Sequence, residues 1–208
     1  MTELLERLAA LRVVPVVTLP DAAAAEPLAR ALVAGGLPVA EITFRSDAAA
    51  AGIAAIRSAF PEVLVGAGTV LDVETVDRAI AAGAHFVVAP GSSPAVIDRC
   101  REAGVPVVPG AVTPTEIEQG LARGLRLLKF FPAEAAGGIA FLKGIGAPLA
   151  NLKFCPTGGI DMKNAAAYLA LSNVVAIGGS WVAPKEAIEA GDFARITALA
   201  REAAGLRK

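Results

Sequence analysis

Leu127-Leu128-Lys129-Phe130-Phe131-Pro132 is an apolar, strand-like run that carries a single ammonium group. Burying a charged amine without a partner is costly, so burial of Lys129 favours its neutral form. A neutral amine beside a carbonyl substrate is the starting point of a Schiff base. The competing reading of a strand lysine is that its stem packs on the core while its head reaches water. The surrounding chain decides between the two.

Short β-branched or apolar runs recur at residues 13–17, 39–43, 64–67, 86–89, 107–109, 127–131, 153–156 and 174–178. Stretches rich in Ala, Leu, Glu and Arg lie between and after them, at 21–34, 48–60, 73–82, 94–103, 114–123, 139–146, 164–171 and 192–205. Strand followed by helix, eight times over, predicts an α/β fold of the (β/α)8 TIM-barrel type, a single domain spanning 1–208. Residues 3–10 form an extra N-terminal helix that caps the bottom of the barrel. An open doubly wound sheet is the alternative, since periodicity alone cannot close a barrel. Its usual dinucleotide fingerprint is missing, because Gly66-Ala67-Gly68 follows the third strand and lacks a third glycine in register.

The 208 residues, 55% hydrophobic, supply ample apolar material for one large core. A net charge of −1 with scattered Lys and Arg leaves no basic patch, which argues against nucleic acid and anionic membrane as partners. The first residues are acidic and amphipathic rather than basic and then apolar, so no signal peptide is expected. Apolar runs are broken by Gly and Pro before they reach membrane-spanning length. Cys100 and Cys155 lie far apart with no metal-type spacing, which suits a reducing cytoplasm and two core residues. The lone histidine, His85, excludes a His-rich zinc site and reads as structural, near the start of a strand.

In a barrel, active residues come from the C-terminal ends of several strands, and phosphate sits after the seventh and eighth. The second strand ends Glu41-Ile42-Thr43-Phe44-Arg45, where a period of two puts Glu41, Thr43 and Arg45 on one face. Glu41 and Arg45 so placed are either a structural ion pair or a working set. In the second case the carboxylate moves protons and the planar guanidinium captures an anion. The third ends Gly66-Ala67-Gly68-Thr69, where glycines let the backbone approach a ligand and a hydroxyl can bond it. Ala89-Pro90-Gly91 and Pro109-Gly110-Ala111 read as loop-shaping. On the sixth strand Leu127, Lys129 and Phe131 share a face, so the lysine and an aromatic ring line one lumen. Lys153, at the start of the seventh, lies at the opposite end, where a lysine is expected to reach water. Pro156-Thr157-Gly158-Gly159-Ile160 and Ile177-Gly178-Gly179-Ser180-Trp181 end the last two strands. These two Gly-Gly turns can offer backbone N–H groups and a serine hydroxyl to a phosphate, or be merely tight turns.

As a set, Glu41-Ile42-Thr43-Phe44-Arg45, Gly66-Ala67-Gly68-Thr69-Val70, Lys129-Phe130-Phe131-Pro132-Ala133-Glu134, Phe154-Cys155-Pro156-Thr157-Gly158-Gly159-Ile160 and Gly178-Gly179-Ser180-Trp181 closely resemble the 2-keto-3-deoxy-6-phosphogluconate aldolase family, also called 4-hydroxy-2-oxoglutarate aldolase. The resemblance runs over about residues 14–206. It implies a metal-independent class I aldolase that needs no cofactor, folds as a (β/α)8 barrel, forms a homotrimer and serves Entner–Doudoroff carbohydrate metabolism. It implies that Lys129 forms the Schiff base and Glu41 is the general acid and base. Arg45 and Thr69 then bind the pyruvyl carboxylate, Phe131 packs on the substrate, and Gly158, Gly159, Gly179 and Ser180 hold the distal phosphate. Pro90 and Thr157 complete the implied substrate-binding set. The partners implied are small molecules, pyruvate and a phosphorylated aldehyde. An aldolase for the galactonate epimer is the nearest alternative, although Thr157 looks like the gluconate type. A phosphosugar isomerase or epimerase would use the phosphate turns without an imine. A non-catalytic binder of pyruvate or a phosphosugar would leave Lys129 unexplained.

Overall fold

The computed structural model describes residues 1–149 and 151–207. The expected domain limits, 1–208, include Ala150 and Lys208, which lie outside the described residues. The chain alternates strand and helix. The strands are β1 (Val13–Val17), β2 (Val39–Thr43), β3 (Leu64–Gly68), β4 (Phe86–Val88), β5 (Val107–Val108), β6 (Leu127–Phe130), β7 (Lys153–Pro156) and β8 (Ile177–Gly179). The helices are α1 (Thr2–Leu11), α2 (Ala25–Ala34), α3 (Ala49–Ala59), α4 (Val73–Ala81), α5 (Pro94–Glu102), α6 (Pro114–Ala122), α7 (Gly138–Gly146), α8 (Ala165–Leu169), α9 (Lys185–Glu189) and α10 (Phe193–Ala204). Strands buried on both faces lose the polar alternation of a half-exposed sheet, which is why β1 to β3 are mostly Val, Ile, Leu and Ala, with Glu41 and Thr43 the polar exceptions.

Every strand pair is parallel, and the sheet curls. Six strands run in the order β5-β4-β3-β2-β1-β8, and β6 pairs with β7 separately. Single bridges connect the two sheets, Gly110 with Lys129 on one side and Phe154 with Val174 and Thr157 with Gly178 on the other. At the first junction the Lys129 N–H donates to the Pro109 carbonyl at 2.8 Å and the Ala111 N–H donates to the Lys129 carbonyl at 2.9 Å.

Two local expectations change. The eighth strand begins at Ile177 rather than 174, because the Val174 N–H turns back to the Leu171 carbonyl and only Ile177 picks up the Arg12 carbonyl beside β1. Helix α9 has no counterpart in the sequence reading. Five residues after Pro184 are too few to display a helical period.

Side chains cap the starts of α4, α6 and α10. Asp72 accepts from the Thr75 N–H at 2.7 Å, and Thr113 with Glu116 forms a reciprocal capping box on α6. At the N-terminal end of the strands, Leu8 of α1 reaches the interior and packs with Val14, Phe86 and Val108. His85 is structural there. Its Nε2 lies 2.7 Å from the Arg57 guanidinium, and its Nδ1 meets the Val65 backbone, 3.1 Å from the N–H and 3.3 Å from the carbonyl. Burial first, and then the Arg57 charge, keep its pKa below the ordinary value, so the ring is neutral. Lys153 is tied down at the same end by the Ser172 carbonyl at 2.8 Å. Among the described residues no helix is long and apolar enough to cross a membrane.

Candidate active site

The side chains of β6 alternate. Phe130 points outward and stacks on Phe141 of α7 at 4.9 Å, so Lys129 is turned to the inside. There Nζ donates to Glu41 Oε1 at 3.1 Å, with side-chain exposures of only 8% and 5%. The Lys129 nitrogen also lies 5.3 Å from the centre of the Phe131 ring, which is half-buried at the mouth. The expected lysine and aromatic neighbours are therefore real, but the amine is not alone. Its desolvation is offset by a carboxylate 88 positions away in sequence, a pairing that strand periodicity could not supply.

Glu41 holds its position because β3 makes room. Thr43 and Gly68 are paired across the β2–β3 ladder, and a Cβ on Gly68 would come within 2.4 Å of Glu41 Oε1. The neighbouring Gly66 similarly accommodates the Phe86 ring, at 2.3 Å from an added Cβ. The glycines expected to admit a ligand thus admit two protein side chains. Gly68 is a site residue the sequence reading assigned the wrong neighbour.

Cys155 and Thr157 complete the inner surface. Cys155 is the register partner of Lys129 and lines the same small space with Glu41 and Thr157. It is therefore not the plain core cysteine expected, whereas Cys100 is fully buried. Loss of solvation chiefly, with the Glu41 charge, pushes the Cys155 thiol up to about 12. Thr157 is held where a Cβ on Gly178 would meet its Oγ1 at 2.3 Å. The enclosed space beneath the pair is only ≈ 10 Å³, so any substrate must reach Lys129 from the strands' C-terminal side.

Arg45 does not share that interior. β2 ends at Thr43, and the exposed Arg45 leans back to donate from Nε to Thr43 Oγ1 at 3.2 Å. The Glu41–Arg45 pairing expected from period two is broken because the strand stops between them. Thr43 itself is buried and bonds the Thr18 hydroxyl at 2.8 Å. Arg45 opens onto a separate cleft of ≈ 670 Å³, which it lines with Thr18, Lys163, Ser180 and Trp181. Arg45 and Ser180 are thus brought together.

The two Gly-Gly pairs differ. Gly158 and Gly159 form a true turn with φ of 102° and 78°. Gly178 and Gly179 belong to β8, where they make space instead. An added Cβ on Gly179 would overlap the Trp181 ring at 1.6 Å. Thr69 and Pro90 follow β3 and β4 and are half-buried. Thr69 has φ of 57°, a left-handed conformation strained for a β-branched residue and typical of functional positions. The Pro90 carbonyl would lie 1.9 Å from a Cβ on Gly110, so these two segments touch directly. Among the described residues no group of three or more His, Cys, Asp or Glu side chains gathers to hold a metal ion.

A buried amine in hydrogen-bond contact with a carboxylate, beside a ring and below a partly cationic cleft, can attack a carbonyl and exchange protons with its neighbour. The chain is similar to known proteins along most of its length. The family model for KDPG and KHG aldolases matches residues 4–199. A 2-dehydro-3-deoxy-phosphogluconate aldolase of Treponema pallidum is 49% identical over 202 residues, covering 97% of this chain and 96% of its own. The crystal structure of a KDPG aldolase from Legionella pneumophila, with pyruvate captured as a covalent carbinolamine intermediate, superposes with a TM-score of 0.91 at 41% identity, covering 93% of this chain and 94% of its own. That of the Zymomonas mobilis enzyme with 3-phosphoglycerate gives 0.90 at 40% identity, covering 97% and 95%.

Proposed function

The chain belongs to the KDPG and KHG aldolase family, and from that premise we propose how its own residues carry out the lyase reaction. It is an aldolase that cleaves 2-keto-3-deoxy-6-phosphogluconate to pyruvate and glyceraldehyde 3-phosphate, and also 4-hydroxy-2-oxoglutarate to pyruvate and glyoxylate. The observation that carries the reading is the 3.1 Å contact between Lys129 Nζ and Glu41 Oε1 in a site shielded from water. The contact lets Glu41 accept the proton that Lys129 must shed. The free amine attacks the C2 ketone, Glu41 returns its proton to the departing hydroxyl, and loss of water gives an iminium that serves as electron sink. Glu41 then takes the C4 hydroxyl proton as the C3–C4 bond breaks and the aldehyde departs. The enamine is protonated at C3 by the same carboxyl group, and hydrolysis frees pyruvate and the amine.

The other residues bind. Arg45 and Thr69 hold the pyruvyl carboxylate, Phe131 covers the chain, and Pro90 and Thr157 shape its path. The Gly158–Gly159 turn, Gly179 and Ser180 receive the terminal phosphate. Ser180 and Arg45 lining one open cleft supports an anion on that side of the lysine. The two sheets are read as one closed (β/α)8 barrel forming a single domain, with α1 as its N-terminal plug. This rests on the single bridges that join β5 to β6 and β7 to the β8 segment. The family resemblance further supports a homotrimer that works in the cytoplasm, without metal or cofactor.

The substrate assignment is tested by pyruvate release from three compounds, the phosphogluconate substrate, its galactonate epimer and 4-hydroxy-2-oxoglutarate. The expected order of kcat/KM places the phosphogluconate compound first. A preference for the galactonate epimer would move the assignment to that enzyme, and absence of release from all three would end the aldolase reading.

A further inference from the structure

The loop that follows the catalytic lysine is fastened to the Gly158–Gly159 turn. The Ala133 N–H donates to the Thr157 carbonyl at 2.8 Å, and the Glu134 N–H donates to the Gly158 carbonyl at 3.1 Å. The Glu134 side chain continues the attachment. Its Cγ occupies the space a Cβ on Gly159 would need, at 2.6 Å, and its Oε1 accepts from the Tyr168 hydroxyl. Tyr168 belongs to α8 and has no exposed surface, although its helix begins just beyond the turn. Gly138 leaves the hydroxyl its room, since a Cβ there would lie 3.0 Å from Tyr168 Oη. Asn164, at the start of α8, grips the same turn from its other side by donating to the Gly159 carbonyl at 3.0 Å.

We propose that Glu134 and Tyr168 form a latch that fixes the Gly158–Gly159 turn against the lysine-bearing loop, and so set the preference for substrates that end in a phosphate. Both are positioning residues, because they act through the turn. The inference rests on the phosphate assignment made for that turn above. The latch ties down two things. It gives the turn one backbone geometry, so its N–H groups are arranged before an anion arrives, and it engages a carboxylate that would otherwise be a loose negative charge beside an anion site. Burial first, and then the bond to Glu134, raise the Tyr168 pKa, so the phenol remains a donor throughout the working pH range.

The test measures KM and kcat for the phosphogluconate substrate and for 4-hydroxy-2-oxoglutarate. Tyr168→Phe keeps the ring and removes the donor. It is expected to raise KM for the phosphorylated substrate about tenfold, the size of one hydrogen bond to a charged group, with kcat changed less than about twofold. The unphosphorylated substrate should keep both constants. Glu134→Ala should repeat the effect, while Glu134→Gln, which retains an acceptor and the stem, should restore most of the KM. If Tyr168→Phe does not fold, the contrast between Glu134→Ala and Glu134→Gln carries the test. Equal losses for both substrates, or an unchanged KM for the phosphorylated one, would overturn the latch. Ser180→Ala serves as the control for the underlying assignment. A Ser180→Ala enzyme that loses phosphate preference while Tyr168→Phe does not would remove the latch alone. If neither variant moves the preference, the phosphate assignment falls with it.

Discussion

Two spaces meet at the C-terminal end of β2, and they are built on opposite physical terms. Glu41 lies in a closed interior with Lys129, almost without solvent and with hardly any free volume. Arg45, four positions on, lies exposed in an open cleft of ≈ 670 Å³ with Ser180 and Lys163. In the interior a charge interacts strongly because little water screens it, and an unpaired charge is correspondingly costly. In the cleft, charges are screened and each contributes modestly. The difference implies a division of labour in which bond making and proton transfer occur in the dry space and recognition of anionic ends in the wet one. Substitutions in the first should act on kcat, and those in the second on KM.

The sharpest way to break that division is to separate the ion pair. Lys129→Ala is expected to abolish cleavage of both substrates and to strand Glu41 in the interior, with a stability loss of about 3–5 kcal/mol in urea titrations. Lys129→Met combined with Glu41→Gln should lose less than either charge removed singly. Glu41→Gln alone should lower kcat by about 10²- to 10⁴-fold, the range for a lost general acid and base, while pyruvate still forms a trappable imine. Near-normal turnover would move proton transfer to another group.

Next in size is Gly68→Ala, which places a methyl group only 2.4 Å from Glu41 Oε1. Overpacking of this kind costs about 1–3 kcal/mol, and kcat should fall with it because the carboxylate must leave Lys129. In a Glu41→Ala background the same substitution should cost almost nothing, a non-additivity that thermal unfolding and pyruvate trapping can both measure.

These residues also mark what was legible in the sequence. Alternating runs and turn residues are local, so seven of the eight strands appear within a residue or two of their expected limits. Lys129 stood out because a charge in an apolar run is a local anomaly. Its pairing with Glu41, the neighbour of Cys155 and the use of Gly68 depend on which strands lie side by side, and a period of two carries no such information. Arg45 was assigned to the interior because the alternation was extended past the point where the strand ends. Likewise Gly178-Gly179 resembles a turn in sequence, but the glycines of β8 are dictated by the Thr157 side chain across from Gly178 and the Trp181 ring that folds over Gly179 from two positions on.

The open cleft should yield smaller and more selective effects. Ser180→Ala is expected to raise KM for the phosphorylated substrate by about fivefold to a hundredfold, if the hydroxyl meets a charged oxygen, and to leave 4-hydroxy-2-oxoglutarate nearly unchanged. Raising ionic strength should weaken the phosphorylated substrate's binding while kcat holds. Parallel losses in kcat would place Ser180 with the interior group.

The smallest effect lies outside both spaces, at the α6 cap. Hydrogen bonds from the Val112 N–H first, and then from Thr113, hold the Glu116 carboxyl below its ordinary value of 4.5. A lowered folded-state value stabilises the protein above the unfolded value, and that contribution disappears as pH falls through the folded one. Glu116→Ala should therefore narrow the stability gap from the parent enzyme between pH 7 and pH 3 in denaturant titrations. A gap independent of pH would mean that the carboxylate does not carry the cap.

In the proposed reaction Lys129 is the amine that becomes covalently attached to pyruvate. Incubation with pyruvate and borohydride, followed by intact mass and peptide mapping, tests it most directly. One three-carbon unit should be added to Lys129 and none to the Lys129→Ala protein, with Glu41→Gln still labelled. Label on Lys153 or on any other lysine, or no label on a protein that still cleaves its substrate, would contradict it.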